Sequence, residues 1–170
     1  NLNDFVKNIR KNYDDYNFDE IYKLFNNYIS SLSNFYLDFT KDIVYIDKAD
    51  SVRRRSVQTV LYEIIYNLVR LMAPVLPYTS EEVYKFMPYR KEESVHLESF
   101  PEVLIYKEKE ELKEKWNAFF GIKNDVYKAL EEARSEKIIG KSLEAKVYLN
   151  LREEDKEMLH DILPDLKQLL

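Results

Sequence analysis

Apolar residues recur at steps of three and four along most of this chain, the spacing that places side chains on one face of an α-helix. Leu2, Phe5, Val6 and Ile9 predict a short first helix that stops in the Asn12 to Asn17 cluster, where Asn and Asp favour turns and caps. Ile21, Leu24, Phe25, Tyr28, Leu32, Phe35, Tyr36, Phe39 and Ile43 then form one sustained stripe, predicting a single long helix over 18–44. Val57, Val60, Leu61, Ile64, Ile65, Leu68, Val69 and Met72 predict a third helix, closed by Pro74. Thr79 followed by Glu82 has the form of a capping box, predicting a further helix to Met87. Residues 89–106 lack a helical period and are expected to cross the bundle as an extended connection.

A fourth long helix is expected from Glu108 to near Gly140, with Leu112, Trp116, Phe119, Val126, Leu130 and Ala133 on one stripe. The period then changes. In AKVYLNL, Val147, Leu149 and Leu151 alternate with polar neighbours, as in a half-buried strand, before EEDKEMLHDILPDLKQLL returns to helical spacing. The expected fold class is all-α: a helical bundle over 1–141, with 142–170 as the start of a small, partial α/β extension. A strand with one helix is not stable alone, so the rest of the extension is expected elsewhere in a longer protein. Asn1, which already lies in a helical pattern, prompts the same expectation.

Composition supports helices, with 2 glycines and 5 prolines in 170 residues. Absence of cysteine excludes disulfides, thiol nucleophiles and thiolate metal sites. There is no apolar run long enough to span a membrane and no signal-peptide pattern at the start, so a cytoplasmic setting is expected. His96 and His160 have no metal-ligand spacing around them, KEKEELKEK reads as a solvated helix face, and Trp116 reads as core. No phosphate-cradling glycine loop or nucleophile elbow occurs, so neither catalytic residues nor metal ligands are assigned.

Arg53, Arg54 and Arg55 break the pattern, because cations at a helix N-terminus oppose the macrodipole. Winding the helix puts Arg54 within the apolar stripe, Arg53 on its flank and Arg55 toward solvent. Arg54 is therefore expected to form a structural ion pair with Asp42, or with Asp38 one turn behind it. Arg53 and Arg55 are left to meet an external polyanion. The formal net charge of -5 argues against generic nucleic-acid binding, so any such contact rests on local clustering.

Four stretches together resemble the class I isoleucyl-tRNA synthetases in the helical domain that follows the catalytic core. These are SSLSNFYLDFTKD at 30–42, SVRRRSVQTVLYEIIYNLVRLMAPVLPYTSEEVY at 51–84, ESVHLESFPE at 93–102 and VYKALEEARSEKIIGKSLEAKVYL at 126–149. The middle block also resembles the valyl relatives; IGKSLEAKVYL points to the isoleucine enzymes. The resemblance implies a module that holds the anticodon stem-loop of tRNA(Ile), while catalytic and editing domains of the same polypeptide act on isoleucine with ATP and Mg. No cofactor is expected in this piece, and the absence of cysteine accords with a stop before the family's zinc module.

Carried onto this chain, the resemblance makes Lys41 the first candidate RNA contact, followed by Lys48, Arg53 and Arg55. Lys41 has a second reading, as a cation satisfying a helix C-terminus. Tyr45 could stack on an unpaired base or pack on the bundle. Arg134 to Lys141 offers further cations for the stem. Where the family has a basic residue after KD, this chain has Ile43, which removes one phosphate contact. A helical scaffold for other proteins is the rival from a different class.

Overall fold

A computed structural model of the chain describes residues 1–103, 110–163 and 166. The helices are α1 (Leu2–Asp14), α2 (Phe18–Ser31), α3 (Asp38–Ile46), α4 (Val52–Met72), α5 (Pro77–Phe86), α6 (Glu110–Ser135) and α7 (Glu153–Met158). A π-helical stretch, Leu32–Leu37, joins α2 to α3, and short 3-10 turns lie at Val95–Leu97 and Ser142–Glu144. No strand occurs among the described residues, and the class is all-α.

The chain divides into two compact units, Asn1–Ile105 and Tyr106–Leu170. Helix α6 thus groups with the C-terminal residues. The change of period from helical to alternating marks where α6 ends, which is not where packing divides the chain.

In the first unit α4 is buried on two opposite faces. Ile64, Leu68 and Leu71 join Phe5, Val6 and Ile9 of α1 and Ile21 and Phe25 of α2 in one cluster. Tyr66, Val69 and Ala73, half a turn around α4, join Tyr84 of α5, Met87 and Val95 in another. Within the first cluster the Phe5 ring stacks on Tyr28 at 4.3 Å and meets Phe25 edge-on at 5.1 Å. Tyr13 donates from its hydroxyl to the Leu71 carbonyl at 2.7 Å, fastening the end of α1 to α4.

The predicted helix over 18–44 is present as a helical run from Phe18 to Ile46, interrupted by the wider π turn. Its stripe survives the interruption: Ile21, Phe25 and Ile43 are buried, and Leu32, Phe35, Tyr36 and Phe39 are half-buried.

The Thr79 capping box is not formed. Helix α5 begins at Pro77, whose missing N–H is no loss in a first turn, and the Leu76 cap position has no side-chain hydrogen bond. Thr79 therefore lies inside the first turn. Glu81 instead accepts from the Ser94 hydroxyl at 2.7 Å and the Val95 N–H at 3.0 Å, tying the following loop to α5. That loop is not simply extended. It turns at 88–89, forms the Val95–Leu97 3-10 turn and buries Val95 and Pro101. One Glu98 carboxylate oxygen accepts from both Tyr66 and Tyr84 hydroxyls, at 2.7 and 2.6 Å.

In the second unit Phe119, Val126, Leu159 and Ile162 are buried, and half-buried Trp116 meets Phe119 edge-on at 5.5 Å. Lys115 pairs with Asp161. Residues 145–152 carry no regular structure, and 147–152 line a cleft of about 630 Å³ with Ala118, Gly121, Ile122 and Asp125 of α6. The strand expected in AKVYLNL has no partner among the described residues, without which no ladder forms. The expected start of the fourth helix at Glu108, and most of PDLKQLL, lie outside the described residues.

Two stability measurements check this packing. Ile9, 0% exposed, replaced by Ala is expected to lower unfolding free energy by about 2–5 kcal/mol in urea titrations. Tyr22→Ala, at 72% exposure, is expected to change it by about 0.5 kcal/mol or less. For Glu98, burial raises the carboxyl pKa, but the hydroxyls of Tyr84 and Tyr66 and the charge of Arg70 outweigh it, holding the group below its usual range. A depressed folded-state pKa stabilises above the unfolded value of about 4.3 and is lost as pH falls through the folded value. The urea midpoint of Glu98→Gln is therefore expected to fall less than that of the parent chain on acidification below about pH 4.3.

Candidate nucleic-acid interface

Helix α3 ends at Ile46 and α4 begins at Val52, so the connection carries Lys48 and the arginines onto one corner of the first unit. Ser51 caps α4, its hydroxyl accepting from the Arg54 N–H at 3.3 Å. The same hydroxyl donates to the Asp47 carboxylate at 3.0 Å. Asp47 also receives a forked pair of bonds from Arg53, Nε at 3.2 Å and Nη2 at 3.1 Å. The Arg53 guanidinium and the Ser51 hydroxyl together hold the Asp47 carboxyl below its usual pKa range. The carboxylate that permits arginines at this helix start is thus Asp47, whose only sequence signal was an acid four residues before a capping Ser.

Arg54 is half-buried while Arg53 and Arg55 are exposed, as the helical winding predicts. Its expected partners are corrected. Arg54 Nη1 donates to the backbone carbonyl of Asp47 at 2.8 Å, and its buried Nε has no hydrogen-bond partner in the structure. Asp42 is exposed, and Asp38 pairs with Lys41 one turn along its own helix at 2.5 Å. The reason is the chain reversal after Ile46, which presents the start of the loop to α4 and leaves Asp38 about two turns behind.

Lys41 is exposed, and its hydrogen bond with Asp38 raises its pKa. Tyr45 is 84% exposed and so does not pack on the bundle; Ile46 and Val52 beside it are 76% and 81% exposed. Lys48 and Arg55 are exposed. The junction therefore brings together an outward aromatic ring, two small apolar surfaces and a set of cations, several already engaged by carboxylates. Such a surface can meet phosphates through its cations and unpaired bases through its ring.

In the other unit, Arg134 pairs with Glu131 at 3.0 Å and donates to Ser142 Oγ at 3.2 Å. His96 and His160 are exposed. Among the described residues no group of three or more His, Asp or Glu side chains converges as a metal site would, and no helix is long and apolar enough to cross a membrane.

Comparison with known proteins adds what geometry alone does not. Isoleucine–tRNA ligase of Staphylococcus carnosus (strain TM300) is 53% identical over 153 residues, covering 89% of this chain and 16% of that protein. Those of Listeria monocytogenes serotype 4b (strain F2365) and Bacillus cytotoxicus are each 47% identical over 169 residues, 99% of this chain and 18% of each relative. The chain thus spans less than a fifth of the length of these curated relatives. A family model described as the anticodon-binding domain of tRNA ligase matches residues 1–149, across α1 to α6 and the junction just described, and the chain belongs to that family.

Proposed function

We propose that this chain holds the anticodon stem-loop of tRNA(Ile), positioning the tRNA for aminoacylation by the catalytic domain of a longer isoleucine–tRNA ligase. The observation that carries the reading is the α3–α4 junction, where Tyr45 is 84% exposed beside Lys48 and Arg55 within a chain of the anticodon-binding family. Lys48 and Arg55 contact phosphates, Tyr45 stacks on an unpaired base, and Arg53 and Lys41 join by exchanging Asp47 and Asp38 for RNA phosphate. The isoleucine ligases among the relatives favour tRNA(Ile) over the valyl alternative. Family membership weighs against the scaffold reading. ATP and Mg chemistry, and editing, belong to other domains of the parent polypeptide, acting in the cytoplasm.

Binding of an isoleucine anticodon stem-loop to the 170-residue chain, followed by fluorescence anisotropy across a salt series, tests this. Lys48→Ala and Arg55→Ala are each expected to weaken binding and make the log–log salt slope shallower by about 0.7–0.9, with unchanged thermal midpoint. Arg54→Ala is expected to lower stability by about 1 kcal/mol through loss of its bond to the Asp47 carbonyl, without changing that slope. A parent chain whose RNA affinity is undetectable, or indifferent to salt and to both exposed cations, would sink the reading.

A further inference from the structure

Among the described residues, three other than glycine have positive φ: Tyr16 at 55°, Lys137 at 59° and Tyr89 at 58°. For two of them helix termination supplies the reason. After α1 the Tyr16 N–H bonds to the Tyr13 carbonyl and the Asn17 N–H to that of Asn12, and after α6 Lys137 and Ile138 bond to Arg134 and Ala133 in the same way. Both are Schellman ends, which require a left-handed residue at that position. Tyr89 has no such reason. Helix α5 ends at Phe86, its cap residue Met87 is extended, and Tyr89 follows Pro88 in a turn. A turn with Pro followed by a positive-φ residue ordinarily places Gly or Asn there.

The backbone of the turn is tied to its surroundings at several points. Met87 before it is buried in the cluster with Tyr66 and Tyr84. The Tyr62 hydroxyl donates to the Tyr89 carbonyl at 3.4 Å, and Arg90 Nη1 returns to the Lys85 carbonyl at 2.8 Å. Tyr89 is nonetheless 89% exposed, and Phe86, three residues before it in the chain, is 85% exposed. A strained conformation clamped by its surroundings, with an aromatic ring as the part left in water, points to use of that ring.

Its position favours one occupant. Tyr62, which reaches the Tyr89 carbonyl, lies seven residues after Arg55, on the same face of α4 and about 10 Å along the axis. The corner is thus continuous with the cationic surface of the junction, and exposed Arg90 and Lys91 flank it. Glu92 and Glu93 follow them, so the local charge is mixed and a stacking contact suits the site better than a phosphate contact.

We infer that Tyr89 is a second nucleobase-stacking site, receiving an unpaired base of the same RNA whose backbone meets Arg55. This rests on the junction reading above, and the test separates the two. An isoleucine anticodon stem-loop with 2-aminopurine in its loop is titrated into the 170-residue chain. Tyr89→Gly is expected to keep or raise the thermal midpoint, since glycine accepts the positive φ, while lowering affinity about tenfold and abolishing fluorescence quenching. Its salt slope is expected to match the parent's, unlike that of Arg55→Ala, and Tyr89→Trp is expected to retain affinity. If Tyr89→Gly binds and quenches like the parent while Arg55→Ala weakens binding, the stacking site is refuted and the junction stands. If neither substitution changes binding, both readings fail. A lower thermal midpoint for Tyr89→Gly would assign the ring to packing and overturn the inference.

Discussion

Helix α4 must bury two opposite faces at once, and the arrangement of the first unit follows from that constraint. Ile64, Leu68 and Leu71 seek one set of partners while Tyr66, Val69 and Ala73 seek another, half a turn away. Each buried aliphatic side chain contributes about 1.5–3 kcal/mol, so neither face can be left in water. Helices α1 and α2 cover one face; α5, Met87 and Val95 cover the other. The second covering is partly polar, and the double hydroxyl grip on Glu98 fixes where the loop lies.

Positioning of α4 also sets the electrostatics of its start. A chain of net charge -5 cannot attract RNA through its overall field, and even the cations of the junction have acidic neighbours: Asp47 on Arg53, Asp38 on Lys41. These exposed pairs are weak and exchangeable. On the proposed reading, a phosphate reaching Arg53 or Lys41 must displace a carboxylate already tethered there, which disfavours arbitrary polyanions. On the same reading, an RNA whose shape also engages Tyr45 and Tyr89 gains where a generic polyanion does not.

Backbone strain carries separate information. Tyr16 and Lys137 adopt positive φ where a helix needs ending, and their hydrogen bonds account for it. Tyr89 adopts it where glycine would serve the turn better, and the surrounding bonds hold its backbone while the ring stays outside.

Helices, their apolar stripes and the different exposures of Arg53, Arg54 and Arg55 were legible in the sequence, because a 3.6-residue period is a local property that any helix of this composition must express. The same locality made Thr79 look like a cap, although Pro77 starts the helix two residues earlier. Which carboxylate meets which arginine was decided only in three dimensions: the reversal after Ile46 brings Asp47 to Arg53 and its carbonyl to Arg54, while Asp38 stays with Lys41. The division between units and the exposure of Tyr89 were likewise hidden. They depend on contacts between residues far apart in the chain, and no period along the sequence encodes the direction in which a turn sends it.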